Sequence, residues 1–378
     1  MKAVVFHGPR DVAVEEVADP RIEEPLDAVI RITTANICGS DLHPYEGRAD
    51  LDAGMVLGHE NMGIVEETGP AVRQLRAGDR VSVPFNVACG TCANCERGLT
   101  AFCLTVSRGG AGGAYGYAGM GRYDGGQAEY LRVPFADFNC LVLPPGSEHE
   151  ADYALLSDVF PAGYHATVLA DVRPGDSVVV FGAGPVGLLA VHSAFLRGAA
   201  EVFAVDKVPS RLQIAERMGA MPVNYAETDP VEYVLDATAG AGASKGVEAV
   251  GWQAHDPEGQ EHAELTLNGL VRCVMATGTI GVVGAFAPQD EYAPQELTRR
   301  GQAAFDVGLF FAKGLRMGSG QTSVKAYNRQ LRSLITAGRA SPSVIVSHEL
   351  SLDEAPEAYR HFDNRDEGWT KILLHPAA

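Results

Sequence analysis

The chain has 378 residues, 46% of them hydrophobic, which is enough for two domains of ordinary size with cores of their own. Its formal net charge of −18 leaves no basic surface for a phosphate backbone and excludes nucleic acid as a partner, while acidity of this kind keeps a cytosolic enzyme soluble. The opening MKAVVFHGPRDVAVEEV lacks the apolar core and cleavage site of a signal peptide, and the most apolar stretch, 178–196, is broken by glycine and proline and carries His192, so a cytoplasmic protein without a membrane span is expected.

Alternating valines and acids predict a first β-strand in that opening segment. Cys38 follows among polar neighbours in ITTANICGSDLHPYEG, and His59 and Glu60 come after a glycine between two strand-like runs. A lone cysteine or histidine is more often core filling, but the two together point to a metal. Gly78 and Asp79 mark a turn before a strand at 80–83. Cys89, Cys92, Cys95 and Cys103 then fall as C-x2-C-x2-C-x7-C. Zinc takes four thiolates at ~2.3 Å in a tetrahedron, and two-residue gaps let a turning backbone present successive sulfurs to one ion, so this stretch reads as a structural zinc lobe. Two disulfides in an oxidising compartment are the competing reading. The glycine-rich passage from residue 108 is too flexible for a helix; it reads as a lid or as an exposed connector, and it ends in a strand at 128–133.

Helical spacing begins in EHEADYALLSDVFPAGYHATVLADV and ends at a turn, 173–176, where a domain junction fits. Beyond it, SVVVFGAGPVGLLAVHSAFLRGAAEVFAVD runs as buried strand, glycine turn, helix and second buried strand. Gly182, Gly184 and Gly187 form G-x-G-x-x-G in the context that makes it informative: the first permits the tight turn, the second lets a pyrophosphate approach, and the third lets helix and strand pack closely. Asp206 ends the second strand, where a carboxylate receives ribose hydroxyls and repels a 2′-phosphate, so NAD is expected over NADP despite Lys207 and Arg211 nearby. Further on, 212–218 reads as helix, 246–250 and 277–286 as strands, 325–336 as helix and 369–375 as strand, and this closing segment, without a nucleotide motif, is expected to return to the first domain.

CGSDLH at 38–43, GHE at 58–60, the four-cysteine lobe, GGQAEY at 125–130 and GAGPVG at 182–187 together resemble the zinc-dependent medium-chain dehydrogenases across essentially the whole chain. More narrowly, SDVFPAGYHA, AYGYAGMG, PFADFN, KGVEAVG and SGQTSVKAYNRQL are similar to the glutathione-independent formaldehyde dehydrogenase branch. The resemblance implies an α/β fold class with a GroES-like, β-rich catalytic domain made of both chain ends, 1–159 with the zinc lobe and 320–378. Around the middle, 160–319, it implies a Rossmann domain with a doubly wound parallel sheet, and a catalytic zinc in the cleft between the two.

For that zinc the resemblance supplies Cys38, His59 and Asp158 as ligands, giving two zinc ions per chain. Ser40 and His43 would move the substrate proton, Asp41 would orient His59, and Glu60 would stand behind the metal. On the cofactor side it adds Val186, Arg211, Val250, Gln321 and Thr322 as NAD contacts. After AVG the chain departs from its branch: WQAHDPEGQEH replaces the basic residues found there and leaves His255 alone before His262. The implied reaction moves a hydride between NAD and a small aldehyde, taken as its hydrate, or a small alcohol. NAD that stayed bound would make it a dismutation. A dehydrogenase of a larger alcohol and a non-catalytic nucleotide-binding protein are the alternatives, and a homo-oligomer, dimer or tetramer, is implied as well.

Overall fold

The opening segment is a hairpin rather than one strand: β1 (Lys2–Gly8) and β2 (Asp11–Glu16) pair antiparallel. Pro9 and Arg10 turn the chain between them, with Arg10 at φ 58°, and proline-initiated turns of this kind override the strand propensity on either side. The computed structural model describes residues 1–376 other than 108, 109 and 111, so those three positions of the glycine-rich passage lie outside the described residues. Two compact units emerge, one made of Met1–Pro161 with Gln321–Ala378 and the other of Ala162–Gly320.

In the first unit follow β3 (Ala28–Ile37), β4 (Glu60–Thr68), β5 (Arg80–Val83), the short β6 (Asn86–Val87) and β7 (Gly113–Ala114), then β8 (Tyr130–Val133) and β9 (Leu141–Val142). The second unit holds β10 (Ser177–Phe181), β11 (Glu201–Asp206), β12 (Met221–Asn224), β13 (Ala243–Glu248), β14 (Val274–Val282) and β15 (Arg316–Ser319). The closing segment adds β16 (His348–Ser351) and β17 (Ile372–His375) to the first.

The first unit is built on a seven-stranded sheet, β16-β17-β3-β4-β5-β9, with β8 also paired to β3. Its ten-residue axis, β3, is buried along nearly its whole length because strands lie on both of its edges. Ile30, Ile32, Val65, Val81, Val83, Leu131 and Val133 form the core beneath it. The strand expected at 128–133 starts at Tyr130, since Ala128 makes an isolated bridge to Ala3. The helical run expected after residue 148 is broken into a helix Glu150–Ala154, a 3-10 turn Leu155–Ser157 and a helix Val159–Leu169, with Asp158 at φ −154°, ψ −76° in the gap. Ser157 Oγ donates to the Ala154 carbonyl and Phe85 N donates to the Ser157 carbonyl, so the break is hydrogen-bonded in place.

The second unit is a parallel sheet ordered β12-β11-β10-β13-β14-β15, so the strand order reverses beside β10, where open α/β sheets bind ligands. The fold class expected from the sequence is the one observed. Strands expected at 246–250 and 277–286 are displaced toward the N-terminus, to β13 and β14. The Glu248 carboxylate is the cause for the first: it accepts from the N–H groups of Val250 and Gly251 and ends the ladder. The helix expected at 212–218 begins earlier, at Pro209, a residue suited to the first helical turn. In the closing segment the expected helix at 325–336 is a 3-10 turn Val324–Ala326 followed by Asn328–Thr336, and β17 is shorter than the strand expected at 369–375. Among the described residues no helix is long and apolar enough to cross a membrane.

A Cβ added at Gly187 would lie 1.8 Å from the Gly182 carbonyl oxygen. Gly187→Ala is therefore expected to lower the unfolding free energy by about 1–3 kcal/mol through overpacking, measured by urea denaturation; an unchanged midpoint would contradict the close packing of turn and helix.

Candidate active site

Among the described residues two groups of side chains that could hold a metal lie in the first unit, Cys89, Cys92, Cys95 and Cys103 in one and Cys38, His59, Glu60 and Asp158 in the other. In the first group every cysteine is free, and Cys92 Sγ and Cys103 Sγ are 3.8 Å apart. A disulfide needs ~2.05 Å, whereas four sulfurs at ~2.3 Å from one zinc stand ~3.8 Å from each other. Backbone N–H groups of Cys89, Thr91, Cys92 and Leu104 point at these sulfurs over 3.3–3.4 Å, which favours thiolates. Burial opposes ionisation of Cys89, but donors from Thr105, Thr91 and Cys92 prevail and bring its thiol down to about 6. The residues fit a structural zinc and not a pair of disulfides.

The second group is assembled from three elements. Cys38 ends β3 and forms the N-cap of the helix Gly39–Tyr45, His59 and Glu60 open β4, and Asp158 occupies the helix break. His59 Nε2 is 3.2 Å from Asp158 Oδ2, and Cys38 Sγ is 3.8 Å from the same oxygen. Zinc with bonds of ~2.0–2.3 Å to nitrogen, oxygen and sulfur would place tetrahedral donors roughly 3.3–3.8 Å apart, so these separations fit one ion. All four residues are buried. Burial, followed by the Glu60 carboxylate, pushes the Cys38 thiol up to about 11. Burial disfavours the His59 cation too, yet Asp41, Tyr117 and Asp158 outweigh it and raise the imidazole well above its ordinary value. A site that draws a proton onto a fully buried histidine is a site built for positive charge.

Around the donors the partners are specific. Asp41 Oδ1 lies 2.9 Å from His59 Nδ1, and Asp41 Oδ2 accepts from Cys38 N at 2.9 Å. Glu60 is held on both oxygens, by Lys371 Nζ and by Asn36 Nδ2, each at 2.6 Å. Lys371 is fully buried and also donates to the Ile37 carbonyl at 2.9 Å. Burial works against its cation, but Glu60 prevails and raises its pKa. Ser40 Oγ is 3.7 Å from Cys38 Sγ, and His43 lies half-buried on the same helix. Tyr117 stacks obliquely on His59 with ring centroids 5.5 Å apart, and its hydroxyl oxygen is buried with no hydrogen-bond partner among the described residues. Gly116, at φ 70°, turns the chain against the Gly58 backbone and so delivers Tyr117 to that position.

In the second unit Gly182 takes φ 92° at the end of β10, and Gly184, with open space where a Cβ would be, precedes the helix Pro185–Leu196 that carries Val186. Asp206 lies beside this turn, with Oδ2 accepting from Ala183 N at 2.7 Å and Oδ1 from Lys207 N and Val208 N. Three backbone donors leave one of about four acceptor positions for a ribose hydroxyl. Val250 abuts Gly182, and Arg211 is half-buried on the helix Pro209–Arg217. Gln321 and Thr322 belong to the first unit, where Gln321 Nε2 approaches Met120 Sδ at 3.9 Å and Thr322 is buried. His255 pairs with Glu261 as an isolated bridge. Sequence reasoning missed Lys371, Asn36, Glu248 and Tyr117. Lys371 stands beside an apolar run, KILL, where a strand is legible but a buried cation is not.

The chain matches the family model for the alcohol dehydrogenase GroES-like domain over residues 24–145 and that for zinc-binding dehydrogenase over 185–317. It is 41% identical to a glutathione-independent formaldehyde dehydrogenase of Pseudomonas aeruginosa, over 96% of this chain and 94% of that one. It is 37% identical to a formaldehyde dismutase of Pseudomonas putida, with the same coverage. Among solved structures it is similar to the alcohol dehydrogenase TADH from Thermus sp. ATN1, with a TM-score of 0.86, 38% identity and 99% of both chains covered.

The two donor sets give distinct expectations for metal removal. Metal analysis is expected to find two zinc ions per chain, one fewer in Cys38→Ser with the fold retained, and one fewer in Cys103→Ser together with a loss of several kcal/mol of stability. Full zinc content in Cys38→Ser would contradict the cage.

Proposed function

The chain belongs to the zinc-dependent medium-chain alcohol dehydrogenase family, and we propose on that footing that Cys38, His59 and Asp158 hold its catalytic zinc and that its substrate is a small aldehyde, taken as the hydrate, or a small alcohol. It is a zinc-dependent, NAD-linked oxidoreductase of aldehydes and alcohols. The observation that carries the ligand assignment is the buried set of sulfur, nitrogen and oxygen at tetrahedral separations.

When bound, zinc supplies a Lewis acid that eases loss of a proton from the substrate hydroxyl. The chain's own residues do the rest. Asp41 keeps the proton of His59 on Nδ1, which leaves the Nε2 lone pair for the metal. Ser40 Oγ, beside Cys38, accepts the substrate proton, and His43 on the same helix passes it toward solvent. Glu60 is neutralised by Lys371 and keeps a second carboxylate near the donors without adding net charge. Asp206 supports NAD over NADP, because its carboxylate would meet a 2′-phosphate as a like charge. In sum, an aldehyde hydrate and NAD give a carboxylic acid, NADH and a proton.

A hydrate carries two hydroxyls where an alcohol carries one. The Tyr117 hydroxyl oxygen, buried and without a hydrogen-bond partner among the described residues, belongs to a ring that packs beside His59 and is the group assigned to hydrogen-bond the second. Tyr117→Phe is expected to lower kcat/KM for a small aldehyde about five-fold, the worth of ~1 kcal/mol for one hydrogen bond, while primary alcohols lose little; equal losses on both would remove this role.

The second unit ends in an open sheet edge, β15, near which Val307 and Phe311 are 66% and 85% exposed. Unpaired edges with apolar flanks are self-complementary across a two-fold axis, and a second copy of this chain is the proposed occupant. Seven unpaired thiols support a cytoplasmic location, where they stay reduced. Light scattering is expected to give a dimer or tetramer for the protein and a smaller species for Phe311→Asp; a monomer in both cases would refute the association.

For the reaction itself, purified protein with NAD and formaldehyde or another short aldehyde is expected to form NADH, and Asp158→Ala to lose at least a hundred-fold in kcat/KM. Wild-type protein that neither reduces NAD nor dismutates any short aldehyde or alcohol would overturn the assignment.

A further inference from the structure

One carboxylate lies against two of the three proposed metal ligands: Asp41 Oδ1 is 2.9 Å from His59 Nδ1, and Asp41 Oδ2 accepts from the Cys38 N–H. A carboxylate turns easily about its last torsion, and Gln127 adds a side-chain donor that restrains this one. Gln127 Nε2 donates to Asp41 Oδ2 at 3.3 Å and to the Asn36 carbonyl at 3.0 Å, while its Oε1 accepts from the Tyr359 hydroxyl at 2.9 Å. Gln127 and Tyr359 are fully buried. Only one amide orientation is compatible with these partners, since the reversed one would set Oε1 against a carboxylate and a carbonyl, both acceptors. With that orientation fixed, Tyr359 must donate.

The local sequence builds the seat for this amide. Gln127 lies in GGQAEY, and a Cβ on Gly125 would meet the Leu57 carbonyl oxygen at 2.1 Å, one on Gly126 the Asn61 side chain at 2.3 Å, and one on Gly58 the Gln127 side chain at 2.4 Å. Three glycines thus let the two segments that carry His59 and Gln127 approach closely enough for the amide to reach Asp41. Tyr359 comes from the helix Ala355–Asp363 of the closing segment, packed against Tyr45 with ring centroids 5.2 Å apart.

We propose that Gln127 and Tyr359 are positioning residues of the catalytic metal site, a hydrogen-bonded line from Tyr359 through Gln127 and Asp41 that fixes the ring of His59 and the backbone of Cys38. The proposal rests on Cys38, His59 and Asp158 being zinc ligands. It gives the closing segment a task in metal retention beyond packing, because the last link to the donors starts on its helix. Tyr359→Phe removes one oxygen and leaves the packing surface, and Gln127→Met keeps the length and removes both amide donors.

Zinc release to a chromophoric chelator from the full chain tests it. Wild-type protein is expected to release two zinc ions in two phases, with Cys38→Ser identifying the catalytic phase by its absence. Gln127→Met is expected to speed that phase about ten- to hundred-fold and Tyr359→Phe about three- to ten-fold, with the lobe phase unchanged in both. Visible absorption of cobalt-substituted protein should shift in the same two variants, a signature that loss of packing alone does not produce. Wild-type rates and spectra in Tyr359→Phe would overturn the proposal even if Gln127→Met failed to fold. A wild-type protein whose two phases persist in Cys38→Ser would instead overturn the ligand assignment, and this proposal with it.

Discussion

The burial of several acidic groups around one imidazole is the constraint on which the first unit turns. Cys38, Asp41, Glu60 and Asp158 converge on His59, all buried, and one buried ammonium, Lys371, answers them. Lys371 neutralises Glu60, and the N–H groups of Cys38 and Gln127 together with the imidazole solvate Asp41. With a divalent ion bound, Cys38 would give up its thiol proton, and the resulting thiolate and the Asp158 carboxylate would cancel the ion's charge. Removing such charges from water is costly unless they are paired, and this donor set fits a bound cation.

The two donor sets differ in the way structural and catalytic sites differ. The lobe offers four sulfurs and wraps them in backbone N–H donors, a closed set that ties residues 89 to 103 into one knot. The cage offers sulfur, nitrogen and oxygen, while the nearby Glu60 is held on one oxygen by Lys371 and on the other by Asn36. Three donors leave a position for substrate, which is the arrangement that catalytic zinc requires. In the proposed ligand set, the Asp158 carboxylate in place of a second thiolate would make the bound ion harder and more electrophilic.

Spacing made much of this legible. C-x2-C-x2-C-x7-C and G-x-G-x-x-G carry their geometry in their gaps, and both appear in the fold as compact sets. Asp158 was visible through resemblance alone, because helical periodicity runs straight through it and gives no sign of the break that presents its carboxylate. Strand ends at β13 and the opening hairpin were misplaced because side-chain caps and a proline turn, not propensity, end those elements. Lys371, Gln127 and Tyr359 were silent for a different reason. Each has a partner more than two hundred residues away, and no local pattern records a hydrogen bond made at that separation.

Anomalous diffraction at the zinc absorption edge tests the central claim most directly. Two peaks per chain are expected, one within the four sulfurs of the lobe and one bonded to Cys38 Sγ, His59 Nε2 and an Asp158 oxygen. A single peak in the lobe, with His59 instead hydrogen-bonded to Asp158 in protein supplied with excess zinc, would contradict the account.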